Sequence, residues 1–143
     1  MYQFIKGPWK SDEDFIDIVS KGDKNGSFEL KKMGLGFVGI LGDQLPKEEH
    51  IKAAKEALDY FKGELPKRDL IILDEVNVAV ALGLLTAEEV LETVKDLPPE
   101  KIILFTGRGA PESFIERADL VTEMKEIKHP FSKGEFAKIV SEF

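Results

Sequence analysis

Two short apolar runs, each followed directly by polar or glycine-rich residues, limit most strongly what this chain can fold into. Residues 70–73 read Leu-Ile-Ile-Leu and lead into Asp74 and Glu75, whereas residues 101–105 read Lys-Ile-Ile-Leu-Phe and lead into Thr-Gly-Arg-Gly at 106–109. Runs that are apolar throughout are typical of strands covered on both faces of a parallel sheet. Helical patterns separate the runs, so the sequence predicts an α/β fold with a mostly parallel sheet.

Helical patterns fill much of the remaining sequence. Residues 46–62 carry apolar side chains at helical spacing, with His50 on the polar side, where we expect it to be exposed. Thr86 followed by Glu89 is a capping box that opens another helix, and Pro111 suits the first position of a third. These patterns predict helical crossovers between parallel strands.

The two ends of the chain carry weaker signals. Residues 2–5 and 28–31 are weaker strand candidates, and an apolar stripe in residues 136–143 predicts a terminal helix that docks onto the body. No linker is long enough to divide the chain, and 143 residues suffice for one core. We therefore expect a single α/β domain over residues 1–143.

Composition excludes several classes of partner and metal site. The 20 Lys and Arg residues against 27 Asp and Glu residues give a net charge of -7, which disfavours nucleic acid and anionic membranes as partners. Without cysteine and with two distant histidines, any metal should be held by oxygen atoms, as Mg²⁺ is. Neither a signal peptide nor an apolar span is evident, so we expect a cytoplasmic protein.

Asp74 and Glu75 are the first candidate site. They follow a predicted buried strand, so their carboxylates should lie at the carboxyl edge of the sheet, where open α/β folds bind ligands. Carboxylates there can help to hold Mg²⁺ against phosphate oxygens. The alternative is that Asp74 merely caps the helical turn beginning at Val76.

Gly107, Arg108 and Gly109 are the second candidate site, at the end of the other apolar run. Glycine permits close approach of the backbone, and arginine donates in a planar fork to phosphate or carboxylate. The alternative is a strand-to-helix turn that carries a surface arginine. A second glycine-rich segment contains Gly36 and Phe37, and one interpretation of it is a loop with Phe37 in the core.

Four sequence blocks, in order, resemble the P-loop ATP:corrinoid adenosyltransferases. They are Gln3-Phe4-Ile5-Lys6-Gly7 with Trp9, Met33-Gly34-x-Gly36-Phe37, Leu73-Asp74-Glu75, and Thr106-Gly107-Arg108-Gly109 with Ala118-Asp119-Leu120-Val121-Thr122-Glu123-Met124 and Lys128-His129-Pro130-Phe131. The resemblance covers nearly the whole chain. It implies a three-layer, RecA-like or P-loop-like parallel sheet with helices on both faces. The family's first strand and its G-x-x-x-x-G-K-[ST] loop are missing from these residues and would precede Met1.

The resemblance also implies a function. It implies transfer of the 5′-deoxyadenosyl group of ATP to cobalt(I) of a corrinoid, with a reduced flavoprotein as the electron donor and a homodimer as the assembly. ATP and the corrinoid would be substrates and Mg²⁺ the metal. The implied nucleotide residues are Gly107, Arg108 and Gly109, the metal residues Asp74 and Glu75, and the corrinoid residues Lys6, Gly36 and Phe37. Gly39 stands where the family usually has a second aromatic residue.

Three hypotheses account for the missing loop. The reading frame can begin downstream of its true start, which would leave an N-terminally truncated adenosyltransferase. The chain can instead be a short paralogue that binds a corrinoid or a partner without turning over ATP. A third hypothesis is an unrelated nucleotide-dependent α/β enzyme.

Overall fold

The computed structural model describes residues 1–9, 14, 27–40 and 42–129 of the chain. These belong to two compact units, one comprising Met1–Pro8 with Leu30–Arg117 and the other Trp9–Glu29 with Ala118–Phe143. Every element named below belongs to the first unit. The terminal helix predicted at 136–143 lies outside the described residues, as do residues 130 and 131. A single domain over residues 1–143 stays a prediction.

Four parallel strands form the sheet of the first unit. They are β1 (Tyr2–Gln3), β2 (Lys31–Lys32), β3 (Leu70–Asp74) and β4 (Ile102–Phe105), and their order across the sheet is β2-β1-β3-β4. Leu70 pairs with Ile102 and Tyr2 pairs with Leu73. The predicted α/β class and parallel sheet are therefore confirmed, and the sheet is of the RecA-like type.

Helices connect the strands. They are α1 (Lys47–Glu64), which runs into a 3-10 turn (Leu65–Lys67), then α2 (Val76–Ala81), α3 (Ala87–Val94) and α4 (Glu112–Arg117). The predicted capping box is confirmed at the start of α3, because the Glu89 N–H donates to Thr86 Oγ1 (3.1 Å) and the Thr86 N–H donates to the Glu89 carboxylate (2.8 Å). None of the helices in the described ranges has the length and apolarity that a membrane span requires.

One face of the sheet carries the core. Tyr2 packs edge-on against Tyr60 of α1, with ring centroids 5.6 Å apart, and Phe105 packs against Phe114 of α4 at 4.9 Å. Tyr2, Leu73 and Phe105 lie side by side on this face, since they are paired in register. Helices α1 and α4 therefore cover the same side of the sheet.

The opposite face of β3 and β4 is partly exposed in the described part of the chain. Leu70, Ile102 and Leu104 are 49%, 55% and 45% exposed. The apolar runs predicted strands covered on both faces, and these three side chains depart from that expectation. The reason is that the described contacts of α1 and α4 lie on the other side.

The prediction that His50 is exposed is wrong. His50 lies on α1 but is only 3% exposed, and its Nε2 is 3.0 Å from Asp43 Oδ2. Asp43 also accepts hydrogen bonds from the Gly39 N–H (2.8 Å) and the Leu45 N–H (3.1 Å). These backbone hydrogen bonds are the main reason that the pKa of Asp43 is lowered, and His50 adds to the effect. His50 therefore faces the loop that precedes α1 and not solvent.

Candidate functional site

The four segments singled out in the sequence emerge at one edge of the sheet. Because all strands are parallel, the residues that follow them meet at the same edge: 33–37 after β2, Lys6 just beyond β1, Asp74 and Glu75 at β3, and 106–109 after β4. Adjacent strands lie ~4.8 Å apart, so the loops after β2 and β4 are separated by about 14 Å. Lys6 and the two carboxylates lie between them.

Glu75 alone connects β3 to α2. The strand ends at Asp74 and the helix begins at Val76, and Glu75 turns the chain with φ 61° and ψ 19°. This is the left-handed conformation, which costs a residue with a Cβ atom roughly 1–2 kcal/mol. Backbone strain of this kind is concentrated at functional sites, where surrounding contacts enforce it.

The Thr106 hydroxyl joins the two candidate sites. The Glu75 N–H donates to Thr106 Oγ1 (3.1 Å), and the Thr106 hydroxyl donates to Asp74 Oδ1 (2.9 Å). Nε2 of Gln3, which is fully buried, donates to the other oxygen, Asp74 Oδ2 (3.1 Å). Both oxygens of Asp74 are therefore oriented by side chains from neighbouring strands.

Asn77 fastens the turn after β4 to the first turn of α2. Its backbone N–H donates to the Thr106 carbonyl (3.1 Å), and its Nδ2 donates to the Gly107 carbonyl (3.0 Å). Gly107 has φ 114°, and a Cβ atom there would lie 3.1 Å from Glu75 Oε2 and 3.2 Å from Glu75 Cα. Glycine is required here for both reasons, and the turn lies directly against Glu75.

The pKa of Glu75 responds to one neighbouring carboxylate and to two cations, Arg108 and Lys6. Burial is the main reason that the pKa of Glu75 is raised, and the negative charge of Asp74 raises it further. Arg108 and Lys6 act in the opposite direction and lower the pKa of Glu75. The structure therefore brings Lys6, Asp74, Glu75 and Arg108 into one electrostatic neighbourhood.

The glycine-rich segment after β2 lies against the end of β1. A Cβ atom on Gly34 would lie 2.3 Å from the carbonyl carbon and oxygen of Ile5, so only glycine fits. The Gly36 N–H donates to the Ile5 carbonyl (2.9 Å), and Gly36 has φ 116°. Phe37 is 37% exposed, which excludes the interpretation that it fills the core. The structure does not bring Phe37 to the carboxylates, because β1 separates β2 from β3.

The oxygen atoms around Asp74 and Glu75 suit Mg²⁺. Mg²⁺ is bound by one or two carboxylates and completes its shell with phosphate oxygens and water. Among the described residues, no group of three or more His, Asp or Glu side chains is placed to hold a metal ion. Two buried amide oxygens in this region, Gln3 Oε1 and Asn77 Oδ1, have no hydrogen-bond partner within the described part of the chain. The potential ligand atoms are all hard oxygen atoms, so these residues fit Mg²⁺.

Sequence reasoning assigned no role to Gln3, Asn77 or the hydroxyl of Thr106. Gln3 is paired in register with Asp74, although 71 residues separate them in the chain. Asn77 had a local signal, because it lies in the first helical turn after the acidic pair. The hydrogen-bond partner of its side chain, the Gly107 carbonyl, lies 30 residues away in the chain, so the local sequence could not predict this contact.

Comparison with known proteins identifies relatives over almost the whole chain. The family model described as ATP:corrinoid adenosyltransferase BtuR/CobO/CobP matches residues 1–143. The corrinoid adenosyltransferase of Escherichia coli K12 is 32% identical over 139 residues, which are 96% of this chain and 66% of that protein. The corrinoid adenosyltransferase of a Sinorhizobium species is 39% identical over 134 residues, 92% of this chain and 60% of that protein.

The corrinoid adenosyltransferase CobA of Salmonella typhimurium LT2 is 30% identical over 134 residues, 92% of this chain and 64% of that protein. The chain thus spans between 60% and 66% of the length of these three relatives.

Proposed function

The chain belongs to the ATP:corrinoid adenosyltransferase family, and we propose that it takes part in transferring the 5′-deoxyadenosyl group of ATP to a corrinoid. In this reaction the electron pair of cobalt(I) forms a bond to C5′ of the ribose, the C5′–O bond breaks, and triphosphate leaves. The nucleophile is the reduced cobalt, so the protein needs no nucleophilic side chain. Its tasks are to orient the two substrates, balance the charge of the leaving group and exclude water.

The observation that carries this proposal is the arrangement of the four loops along one edge. Arg108 and Lys6 flank the carboxylate pair, and the loop that carries Phe37 lies on the far side of Lys6. A charged triphosphate suits the β3–β4 half of the edge. A large, mostly apolar corrinoid ring suits the β2–β1 half, where Phe37 is accessible.

On the nucleotide side, Arg108 would donate to phosphate oxygens, and Gly107 and Gly109 would let the backbone approach them. Gly107 and Gly109 have φ values of 114° and 70°, so the turn holds a shape that other residues adopt at a cost. Asp74 and Glu75 would hold Mg²⁺, which when bound would neutralise charge on the triphosphate. Lys6 would add positive charge from the β1 side.

On the corrinoid side, Gly36 shapes the loop and Phe37 would contact the ring. Gly39 has φ 70°, and a Cβ atom there would have no neighbouring atom within 4 Å, so the place of the usual second aromatic residue is open space. Loss of the lower cobalt ligand must then depend on Phe37 or another group. A reduced flavoprotein as the electron donor, a homodimer and a cytoplasmic location stay predictions.

The test is an anaerobic assay of this chain with Mg-ATP and chemically reduced cobalamin, following the light-sensitive spectrum of adenosylcobalamin. We expect turnover above a protein-free control. No turnover by a folded, monodisperse sample would refute the proposal that this chain supports the reaction by itself.

Two arginine variants make the assay specific. Arg108→Ala is expected to lower kcat/KM about ten- to hundredfold, since a hydrogen bond to a charged group contributes ~1.5–3 kcal/mol. Arg117→Ala is the matched control, because Arg117 is an exposed arginine at the end of α4. Equal loss in both variants would indicate a general effect of charge and contradict the role assigned to Arg108.

A second candidate function is corrinoid binding without turnover of ATP. It is favoured by one observation, that Phe37 is 37% exposed on a loop which β1 separates from the carboxylates, so this half of the edge could hold a corrinoid without ATP. Saturable binding of cobalamin that depends on Phe37, combined with no adenosylcobalamin formation, would support this candidate over the first.

A further inference from the structure

We infer that Thr106 is a positioning residue, whose hydroxyl sets the direction of the Asp74 carboxylate and the backbone of Glu75 for binding of a divalent cation. The inference rests on the proposed function, because that function supplies the role of the carboxylate pair. It goes further by naming the group that orients the pair. Thr106 would not itself contact the cation or the substrates.

The direction of the hydroxyl proton follows from its two partners. The Glu75 N–H donates to Thr106 Oγ1 at 3.1 Å, which occupies one acceptor position of this oxygen. The hydroxyl proton is then free to be donated, and Asp74 Oδ1 lies 2.9 Å away. A carboxylate oxygen can only accept when ionised, so the two bonds run in one direction, from Glu75 through Thr106 to Asp74.

Thr106 is itself held in place by the backbone. Its N–H donates to the Leu73 carbonyl (3.2 Å), and its carbonyl accepts from the Asn77 N–H (3.1 Å). It is therefore tied to the end of β3 and to the first turn of α2. A hydroxyl on so fixed a backbone orients Asp74 and stabilises the left-handed turn at Glu75.

The hydroxyl leaves other lone pairs of the carboxylate available. Each Asp74 oxygen accepts one described side-chain hydrogen bond, from Thr106 or from Gln3, and a carboxylate offers about four acceptor positions. Groups that orient a metal ligand in this way typically contribute about 10- to 100-fold to metal affinity. Removing the Thr106 hydroxyl should therefore weaken cation binding by that factor.

Three variants test the inference with Mn²⁺ as the probe. Thr106→Val keeps the shape of the side chain and removes both hydrogen bonds, whereas Thr106→Ser restores the hydroxyl. Thr93→Val is the matched control, because the Thr93 hydroxyl donates to the Val90 carbonyl within α3. Free Mn²⁺ is counted by electron paramagnetic resonance while the full chain is titrated, at a temperature where thermal unfolding shows every variant folded.

The expected result is a Kd for Mn²⁺ that rises about 10- to 100-fold in Thr106→Val and stays near the wild-type value in Thr106→Ser and Thr93→Val. A purely structural role would lower the melting temperature of Thr106→Val without changing the Kd of the folded protein. Three results would overturn the inference: equal Kd values for wild type and Thr106→Val, no rescue by serine, or no stoichiometric Mn²⁺ site in the wild type. Absence of adenosylcobalamin formation with the expected Kd pattern would refute only the proposed function.

Discussion

Replacing Glu75 by glycine should stabilise the fold and impair cation binding at the same time. Glu75 has φ 61°, and it alone turns the chain from β3 into α2. Glycine adopts this conformation without a steric penalty, whereas a residue with a Cβ atom does not. The carboxylate assigned to cation binding is thus carried by a residue whose backbone is strained.

The magnitude follows from two matched variants. Relief of the left-handed strain should gain ~1–2 kcal/mol, and the greater freedom of glycine in the unfolded chain should offset about 0.5–1 kcal/mol of it. A net gain of roughly 0.5–1 kcal/mol corresponds to a melting temperature higher by about 2–5 °C for a chain of this size. Glu75→Ala removes the same carboxylate but keeps the Cβ atom and the strain.

Urea unfolding of Glu75→Gly and Glu75→Ala therefore isolates the backbone contribution. We expect the glycine variant to be more stable than the alanine variant, with both losing high-affinity Mn²⁺ binding. If the alanine variant is as stable as the glycine variant, the left-handed turn stores no strain and the reasoning is refuted. If either variant binds Mn²⁺ like the wild type, Glu75 has been assigned the wrong role.

Three further predictions concern the pH dependence of stability, two glycine positions and the exposed side chain of Leu104 on β4. Burial and Asp74 raise the pKa of Glu75 above its ordinary value of 4.5, so its contribution to stability is present below that value and is lost as the pH rises through the raised pKa. In urea unfolding, Glu75→Gln should therefore gain stability relative to the wild type as the pH rises from below 4.5 through the raised pKa of Glu75, and a stability difference that does not change with pH would contradict this. Gly34→Ala should prevent folding or cost several kcal/mol, because its Cβ atom would lie 2.3 Å from the Ile5 backbone. Gly63→Ala, in open space on α1, should gain about 0.8–1.0 kcal/mol, and thermal unfolding in which both variants shift alike would refute the packing argument. Leu104→Lys should reduce self-association in sedimentation experiments while changing stability by less than about 0.5 kcal/mol. The reason is that Leu104 is 45% exposed on β4, which lies at the edge of the described sheet. Unchanged sedimentation would show that this face does not mediate self-association.

The features that sequence reasoning predicted correctly are those encoded within a few neighbouring residues. The apolar run of β3 and the capping box at Thr86 needed no knowledge of distant contacts. Because parallel strands share a carboxyl edge, the strand pattern alone also predicted that Asp74 and Arg108 would emerge on the same side. The clustering of the candidate residues could therefore be derived from the sequence pattern.

The features that could not be predicted from the sequence depend on contacts between residues far apart in the chain. The bond from Gln3 to Asp74 exists because β1 pairs with β3 in one particular register. The sequence pattern favours a strand at residues 28–31, but β2 is formed by Lys31–Lys32, whose position is set by pairing with β1. Helical periodicity places His50 in solvent because it cannot show that the loop carrying Asp43 folds over that side of α1.

The division of the edge between strands has a consequence for how such a site can change over evolutionary time. The segment that carries Phe37 is supported by the end of β1, through Gln3 and Ile5, whereas Thr106 and Asn77 tie the turn of Arg108 to β3 and α2. Under the proposed function, substitutions at Phe37 and Gly39 would alter the choice of acceptor while the hydrogen bonds of Thr106 and Asn77 stay in place. Gln3 is the exception, because its carbonyl supports the Phe37 segment and its side chain orients Asp74, so a substitution there would affect both parts of the sheet edge at once.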